Sequence, residues 1–176
     1  MTAPRDTNQV LTAAYQHCGQ LSRRSASSFY YSFWLLPSAK RRAMCALYAF
    51  LRQSDDLADN DQPASRRREQ LQRWRAALHA ALCGQSTADP VLVALADTVQ
   101  RYAIPTRYFD ETLDGVEQDL EPAGFADFGQ LELYCYRVAS TVGLLCIHVW
   151  GFRDPQALDF ARQCGIAFQL TNILRD

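Results

Sequence analysis

The sequence has 176 residues, of which 48% are hydrophobic, and its 18 basic and 19 acidic residues leave a formal net charge of −1. This is enough apolar material for one sizeable core, so we expect a single domain over 1–176. The charge balance excludes a protein that is basic throughout, as many nucleic acid-binding proteins are, and any basic site must be local. The six cysteines are scattered without metal-ligand spacing, which indicates reduced and mostly buried thiols. The first ten residues contain no apolar signal core, so we expect a cytoplasmic location.

Helical periodicity dominates the sequence, and no segment alternates as a strand does. The prolines at positions 37, 90, 105 and 155 mark helix boundaries. The most apolar run, 138–151, is shorter than the roughly 20 residues that span a membrane. These patterns predict an all-α fold with helices over the following ranges: 7–20, 25–35, 38–60, 64–83, 89–103, 105–120, 127–150 and 155–176.

The second predicted helix carries five aromatic residues beside several serines, in the order Ser25-Ala-Ser-Ser-Phe-Tyr-Tyr-Ser-Phe-Trp34. Aromatic faces can stabilise a carbocation, and serine hydroxyls can bind phosphate oxygens. Aromatic residues at helical spacing are also typical of a plain core. The segment therefore leaves both interpretations open.

The third predicted helix ends in Arg52-Gln-Ser-Asp55-Asp56-Leu-Ala-Asp59. Asp55 and Asp59 are one turn apart, so their carboxylates lie about 6 Å apart on one face, with Arg52 one turn earlier. Mg²⁺ prefers one or two carboxylates together with phosphate oxygens, and arginine binds phosphate in a bidentate manner. A solvated acidic helix end is the alternative. The almost wholly apolar turns at 43–51 favour a magnesium–diphosphate site.

Two later helices carry further candidate residues. Within Leu131-Glu-Leu-Tyr-Cys-Tyr-Arg-Val-Ala-Ser-Thr-Val-Gly143, the small residues Ala139, Ser140 and Gly143 share one face, which fits either close helix packing or a ligand channel. In the last helix, Gln169, Asn172 and Asp176 form a polar line on an otherwise apolar segment. Buried polar groups require partners, so this line indicates either a polar cleft or simple exposure to solvent.

Taken together and in this order, the four segments resemble the squalene/phytoene synthase family of head-to-head prenyltransferases, from about Ser22 to Asp176. The resemblance implies an all-α isoprenoid-synthase bundle around a central cavity, in which two aspartate-rich helices face each other across Mg²⁺. The second motif of the family is D-x-x-x-D, of which this sequence contains only the first aspartate. We therefore expect a bundle that is incomplete at its C terminus.

The resemblance also implies roles for individual residues. Catalytic roles fall to Tyr48, Arg52 and Tyr134. Mg²⁺ ligation falls to Asp55, Asp56, Asp59, Asn172 and Asp176. Contacts with the prenyl diphosphates fall to Ser25, Ser28, Phe29, Arg52, Val138, Val142 and Gln169. Ser25 occupies a position where several relatives carry histidine, so the sequence departs from the pattern there.

The implied activity is the Mg²⁺-dependent condensation of two prenyl diphosphates. The segments around Ser28 and Asp114 resemble hopanoid-pathway enzymes and favour farnesyl diphosphate as the donor, with presqualene diphosphate or squalene as product; NADPH is needed only if the reaction proceeds to squalene. Phytoene synthesis from geranylgeranyl diphosphate, in carotenoid formation, is the alternative. A non-catalytic helical fragment or subunit is the alternative from another class. A terpene cyclase or head-to-tail enzyme fits the Tyr134 and Gln169 segments less well. Peripheral membrane contact at the inner face stays open because the product is lipid-soluble, and the oligomeric state is left open.

Overall fold

The computed structural model describes residues 4–25, 28–121 and 124–176, and within them the side chains of 4–7, 28 and 29 are not described. In the described ranges every regular element is helical, and helices make up 80% of the structure. The predicted all-α fold class is therefore confirmed.

Nine α-helices follow one another in the described part of the chain, interrupted by one 3₁₀ turn, Phe33–Leu35, and one π-helical segment, Tyr136–Ser140. The helices are α1 (Pro4–Arg24), α2 (Ser28–Ser32), α3 (Ser38–Ala58), α4 (Ala64–Leu82), α5 (Pro90–Tyr102), α6 (Arg107–Gln118), α7 (Phe128–Cys135), α8 (Thr141–Trp150) and α9 (Gln156–Arg175).

Two of the predicted helices differ from the observed ones in kind. The helix predicted over 25–35 is a short helix followed by a 3₁₀ turn, and Leu36 after it is extended, with φ −90° and ψ 149°. Leu36 precedes Pro37, and a residue before proline is driven out of the helical region. The helix predicted over 127–150 contains the π segment. The remaining boundaries agree within a few residues, except that α1 is longer than predicted.

The described residues of Met1–Gln53 and Ala76–Ala103 form one compact unit, which we call unit 1. Its core includes the fully buried side chains of Leu47, Phe50 and Leu95. The Tyr15 hydroxyl on α1 donates to the Asp97 carboxylate on α5 at 2.6 Å. Asp89 caps α5, since its carboxylate accepts from the N–H groups of residues 91 and 92.

The described residues of Ser54–Arg75 and Ile104–Asp176 form the other compact unit, unit 2. Phe109, Leu145 and Val149 are fully buried in it. The indole N–H of Trp74 donates to Ser54 Oγ at 3.0 Å, which satisfies a polar pair that is buried. The prediction of one domain over 1–176 stays a prediction.

Two arginines of unit 2 share one carboxylate. Arg75, near the middle of α4, lies 2.6 Å from Asp114 on α6 and 3.3 Å from Asp110. Arg137, in the π segment, lies 3.6 Å from Asp114 and 3.3 Å from Glu111. All these side chains are partly shielded from solvent, so the network fixes the π segment against α6 more firmly than isolated surface pairs would.

The continuous helical stretch Phe128–Trp150 has 23 residues and contains an 18-residue window with a mean hydropathy of 1.2, so by length and composition alone it could cross a membrane. It is longer than the apolar run at 138–151 because the polar residues before that run continue the same helix. In unit 2 it packs against α6 and α9, and 33% of its most apolar 18-residue window is buried. Composition of this kind is weak evidence for a membrane span.

The six cysteines all lie in the described ranges and are free. Cys18, Cys45 and Cys135 are buried, whereas Cys83 and Cys164 are exposed. Burial raises the pKa of the Cys18 thiol to about 12, so this group stays protonated and behaves as a small apolar side chain.

Candidate active site

The predicted acidic face lies at the C-terminal end of α3. Asp55, Asp56 and Asp59 are all exposed, and the amide of Asp59 donates to the carbonyl of Asp55 at 2.9 Å, which continues the helical turn past Ala58. This backbone places Asp55 and Asp59 on one face, as their spacing predicts. Arg52 is exposed on the same helix, one turn earlier.

Two of the other predicted residues are in unit 1. Tyr48 on α3 is half-buried, and its ring meets Phe33 edge to face with centroids 6.5 Å apart. Ser25 follows α1 directly, and its hydroxyl donates to the carbonyl of Leu21 at 3.1 Å. Ser28 and Phe29 begin α2, but their side chains lie outside the described residues.

Unit 2 brings together three polar side chains from separate elements. The Tyr134 hydroxyl on α7 donates to the carboxylate of Asp119, the residue that ends α6, and Asp59 is close enough to Asp119 for their charges to interact. Loss of hydration raises the pKa of the Asp119 carboxyl, although the residue as a whole is exposed. The negative charge of Asp59 adds to this rise, and the hydrogen bond from Tyr134 opposes it.

The pKa of Tyr134 is shifted as well. Burial raises the pKa of Tyr134, and its hydrogen bond to Asp119 adds to the rise, so the phenol stays protonated as a donor. The Tyr134 ring packs against Phe125 at 5.2 Å between centroids. Asp119 was not predicted as a site residue. The only signal in the sequence is its spacing of five from Asp114, which does not put the two on one helix face.

The predicted prenyl-contact residues Val138 and Val142 flank the end of the π segment and are half-buried. Thr141 N–H bonds the carbonyl of Tyr136, five residues back, and the Thr141 hydroxyl donates to the carbonyl of Arg137 at 2.7 Å. π-Helical segments are frequent at functional sites, because the extra residue re-aims the side chains around it.

The small-residue face of this helix serves close helix packing. A Cβ on Gly165 of α9 would lie 2.6 Å from the backbone nitrogen of Ser140, and a Cβ on Gly143 would lie 3.4 Å from the carbonyl oxygen of Ala161. The Ser140 hydroxyl donates to the carbonyl of Arg162 at 2.5 Å. Of the two alternatives that the sequence left open for this face, the structure supports the packing of α9 against it.

Part of the predicted polar line on α9 is present in the structure. The Asn172 amide lies 3.5 Å from the Gln169 side-chain oxygen, so these two residues share a face. Asp176 is exposed at the end of the helix, where the Arg175 guanidinium lies 2.9 Å away and lowers the pKa of its carboxyl.

The acidic residues at the end of α3 and the end of α6 suit a Mg²⁺ ion that takes most of its ligands from the substrate and from water. Among the described residues, no three His, Cys, Asp or Glu side chains converge as a ready-made metal cage. Mg²⁺ commonly takes only one or two carboxylates from a protein and completes its shell with phosphate and water. Asp55 and Asp59 on one exposed face, with the Asp119 carboxylate perturbed by Asp59, form a donor set of this type. The assignment of individual ligands stays a prediction.

Replacement of Tyr134 by Phe should raise the pKa of Asp119 further, because the hydroxyl that stabilises the carboxylate is lost while the ring contact with Phe125 is kept. Carbon-detected NMR titration of the Asp119 carboxyl in metal-free buffer measures this. Tyr136→Phe, two residues along the same helix, is the matched control and should leave the Asp119 pKa unchanged. A fall in the Asp119 pKa in the Tyr134 variant would contradict the assigned hydrogen bond.

Comparison with known proteins agrees with this arrangement. The sequence model described as squalene/phytoene synthase matches residues 22–176. Phytoene synthase of Mycobacterium bovis is 39% identical over 163 residues, which cover 93% of this chain and 53% of that protein. The 15-cis-phytoene synthase of Synechococcus elongatus is 37% identical over 178 residues, covering 94% of this chain and 58% of that protein.

Two solved structures share the fold. A dehydrosqualene synthase in complex with ligand superposes with a TM-score of 0.84 at 32% identity, covering 97% of this chain and 59% of the other. A squalene synthase from Alicyclobacillus acidocaldarius superposes with a TM-score of 0.84 at 25% identity, covering 92% of this chain and 60% of the other.

The fold is that of the all-α isoprenoid synthases, a class of enzymes that act on prenyl diphosphates. The chain belongs to the squalene/phytoene synthase family, whose members are prenyltransferases. The resemblance inferred from the four segments is thereby confirmed. The chain spans about half the length of the curated relatives it matches, with 53% and 58% coverage in the two cases above.

Proposed function

We propose that the protein condenses two prenyl diphosphates head to head in a Mg²⁺-dependent reaction. The observation that carries the proposal is the convergence of Asp59, Asp119 and Tyr134 in unit 2. Two carboxylates whose negative charges lie close together favour a shared cation. The family match over 22–176 supplies the reaction class.

The first step breaks the C–O bond of one allylic diphosphate, and the electron pair leaves with the diphosphate. Bound Mg²⁺ would neutralise charge on that leaving group, held by the carboxylates of Asp55 and Asp59 with Asp56 beside them, and by Asn172 and Asp176 on α9. Arg52 binds diphosphate oxygens in a bidentate manner. Ser25 and Ser28 border the same diphosphate.

The second step joins the two chains. The double bond of the second prenyl diphosphate attacks the allylic cation, and loss of a proton gives a cyclopropylcarbinyl diphosphate. The rings of Tyr48 and Tyr134 stabilise the passing positive charge through their π faces. Phe29, Val138 and Val142 line the prenyl chains and exclude water, and Gln169 contacts the substrate from α9. Loss of the second diphosphate and rearrangement then give a new cation, which becomes the hydrocarbon by loss of a proton, or by hydride transfer from NADPH if the product is squalene.

Geranylgeranyl diphosphate is the donor we propose, because the two curated relatives above are phytoene synthases at 37–39% identity. Farnesyl diphosphate is the second candidate. It is the donor that the segments around Ser28 and Asp114 indicated, and the two similar solved structures are a dehydrosqualene and a squalene synthase. NADPH enters only if the product is squalene.

Competition between the two donors at equal concentration should decide between them, with the chain length of the product as the readout. A pocket discriminates by about 1–3 kcal/mol per methylene of misfit, so we expect a preference of at least tenfold for geranylgeranyl diphosphate. Predominance of presqualene diphosphate or squalene would instead establish the farnesyl donor. The control is each donor alone, which shows that both can enter the site.

A non-catalytic helical subunit is the alternative from another class. Binding of a prenyl thiodiphosphate, which ionises very slowly, separates the two readings because it needs no turnover. We expect binding that requires Mg²⁺, and a subunit without a catalytic site should show none. We place the protein in the cytoplasm with peripheral contact to the inner face of the membrane, since the hydrocarbon product is lipid-soluble.

A further inference from the structure

Charge is distributed unevenly along the chain. No acidic residue lies between Asp6 and Asp55, although the protein as a whole carries 19 acids and a net charge of −1. The same stretch contains six basic residues, Arg23, Arg24, Lys40, Arg41, Arg42 and Arg52. Arg52 belongs to the proposed diphosphate site. The cluster at 40–42 lies at the other end of α3, more than ten residues or about 15 Å along the helix, so it needs a different explanation.

Large apolar side chains are exposed within the same stretch. Tyr31 on α2 is 71% exposed, and Trp34 and Leu35 in the 3₁₀ turn are 59% and 89% exposed. The Tyr30 ring contacts the rings of both Tyr31 and Trp34, with centroids 5.8 and 6.5 Å apart, and Leu35 follows Trp34 in the same turn. Exposed apolar surfaces of this kind mark interaction sites. The neighbouring Phe33 is buried, so it anchors the turn and leaves the others facing outward.

A cation lies directly over this apolar surface. The Arg41 guanidinium at the start of α3 lies 4.6 Å from the centroid of the Trp34 ring, and Trp34 meets Tyr30 edge to face at 6.5 Å. Arg23 and Arg24 are exposed at the end of α1 and precede the start of α2 by five and four residues, which is less than about 20 Å of chain. The patch thus combines exposed aromatic and aliphatic side chains with positive charge. The sequence between Asp6 and Asp55, which contains the patch, has no acidic residue.

We propose that this patch, formed by Arg23, Arg24, Tyr31, Trp34, Leu35 and Arg41, is a docking surface for an anionic lipid bilayer. Tryptophan and tyrosine favour the headgroup region of a bilayer, where one end of the ring is apolar and the other is hydrated. Leu35 enters the acyl boundary, and the guanidinium groups pair with lipid phosphates. A nucleic acid would match the charge but not the exposed Leu35.

This patch is the surface for the peripheral membrane contact of the proposed function, on which the assignment rests, and vesicle binding is measured without turnover. Failure of vesicle binding can therefore be distinguished from failure of the proposed condensation reaction. Docking here would place unit 1 at the membrane, into which a long hydrocarbon product could be released.

The test is co-sedimentation of the protein, as its gene encodes it, with vesicles of phosphatidylcholine alone or mixed with phosphatidylglycerol. We expect binding to the mixed vesicles at low salt, weak binding to phosphatidylcholine alone, and loss of binding at high salt. Tryptophan fluorescence should shift to the blue on binding, because Trp34 leaves water. Absence of binding to mixed vesicles at low salt would overturn the proposal.

Two sets of variants separate the apolar and charged contributions. Trp34→Ser with Leu35→Ser should weaken binding at least tenfold, and Arg23→Gln with Arg24→Gln should weaken it by about fivefold for each charge. All four side chains are exposed, so both proteins should fold. Trp150→Ser, at a tryptophan 50% exposed in unit 2, is the matched control and should bind as the parent does. Equal weakening by the control would refute the assignment of the patch. So would a change in oligomeric state of the Trp34 variant with unchanged vesicle binding, since the patch would then be a protein interface.

Discussion

Replacement of Asp55 or Asp59 by Asn should lower turnover by at least about a hundredfold, which corresponds to roughly 2.7 kcal/mol of lost transition-state stabilisation. Each change keeps the shape of the side chain and removes a charge from the exposed face of α3. The free energy of unfolding should change little, because exposed residues contribute little to it. Turnover of both donors and thermal melting, measured on the same preparations, test this.

The Mg²⁺ dependence of the same variants adds a readout that a merely structural role would not move. The Mg²⁺ concentration for half-maximal activity should rise in both. Asp61→Asn is the matched control, since Asp61 is an exposed acid just beyond the end of α3, and it should retain the activity and the Mg²⁺ dependence of the parent. Near-normal turnover of both Asp55→Asn and Asp59→Asn would refute the metal assignment on α3.

Replacement of Gly165 by Ala should destabilise the protein by about 3 kcal/mol, the largest stability effect we expect of any single methyl group. The added Cβ would lie 2.6 Å from the Ser140 backbone nitrogen and 2.8 Å from its Oγ. Backbone atoms cannot rotate away, so α9 must move off the π segment and stretch the hydrogen bond from Ser140 to the Arg162 carbonyl. Denaturant unfolding measures the loss.

Gly19 on α1 is the matched control for this substitution. A Cβ there meets nothing within 4 Å, and alanine is favoured over glycine in a helix by about 1 kcal/mol. Gly19→Ala should therefore leave the stability unchanged or raise it. If Gly165→Ala were as stable as the parent, the close approach of α9 to Ser140 would be wrong.

The helices could be predicted from the sequence because their apolar positions recur at helical spacing, and the acidic face of α3 follows from the spacing of Asp55 and Asp59 alone. The end of the helical stretch at Leu35 could be predicted from Pro37, because a proline disfavours helical geometry in the residue before it. The predicted helix over 25–35 ends at that point, but the sequence pattern does not show that its last turn is a 3₁₀ turn.

The π segment and Asp119 could not be predicted from local pattern. Every residue of Tyr136–Ser140 is compatible with an ordinary helix, and the segment is held by residues distant in sequence, through the ion pairs of Arg137 with α6 and the close approach of Gly115 and Gly165. Asp119 joins the candidate site only because the end of α6 meets Tyr134 of α7. Such pairings depend on how helices pack, which periodicity does not determine.

The most direct test of the proposed reaction is to incubate the protein, as its gene encodes it, with labelled geranylgeranyl or farnesyl diphosphate in the presence and absence of Mg²⁺. We predict a Mg²⁺-dependent product that contains two donor chains joined head to head, either as the cyclopropylcarbinyl diphosphate or as the hydrocarbon derived from it. A head-to-tail product, a cyclised product of a single donor, or no conversion of either donor would contradict the proposed function.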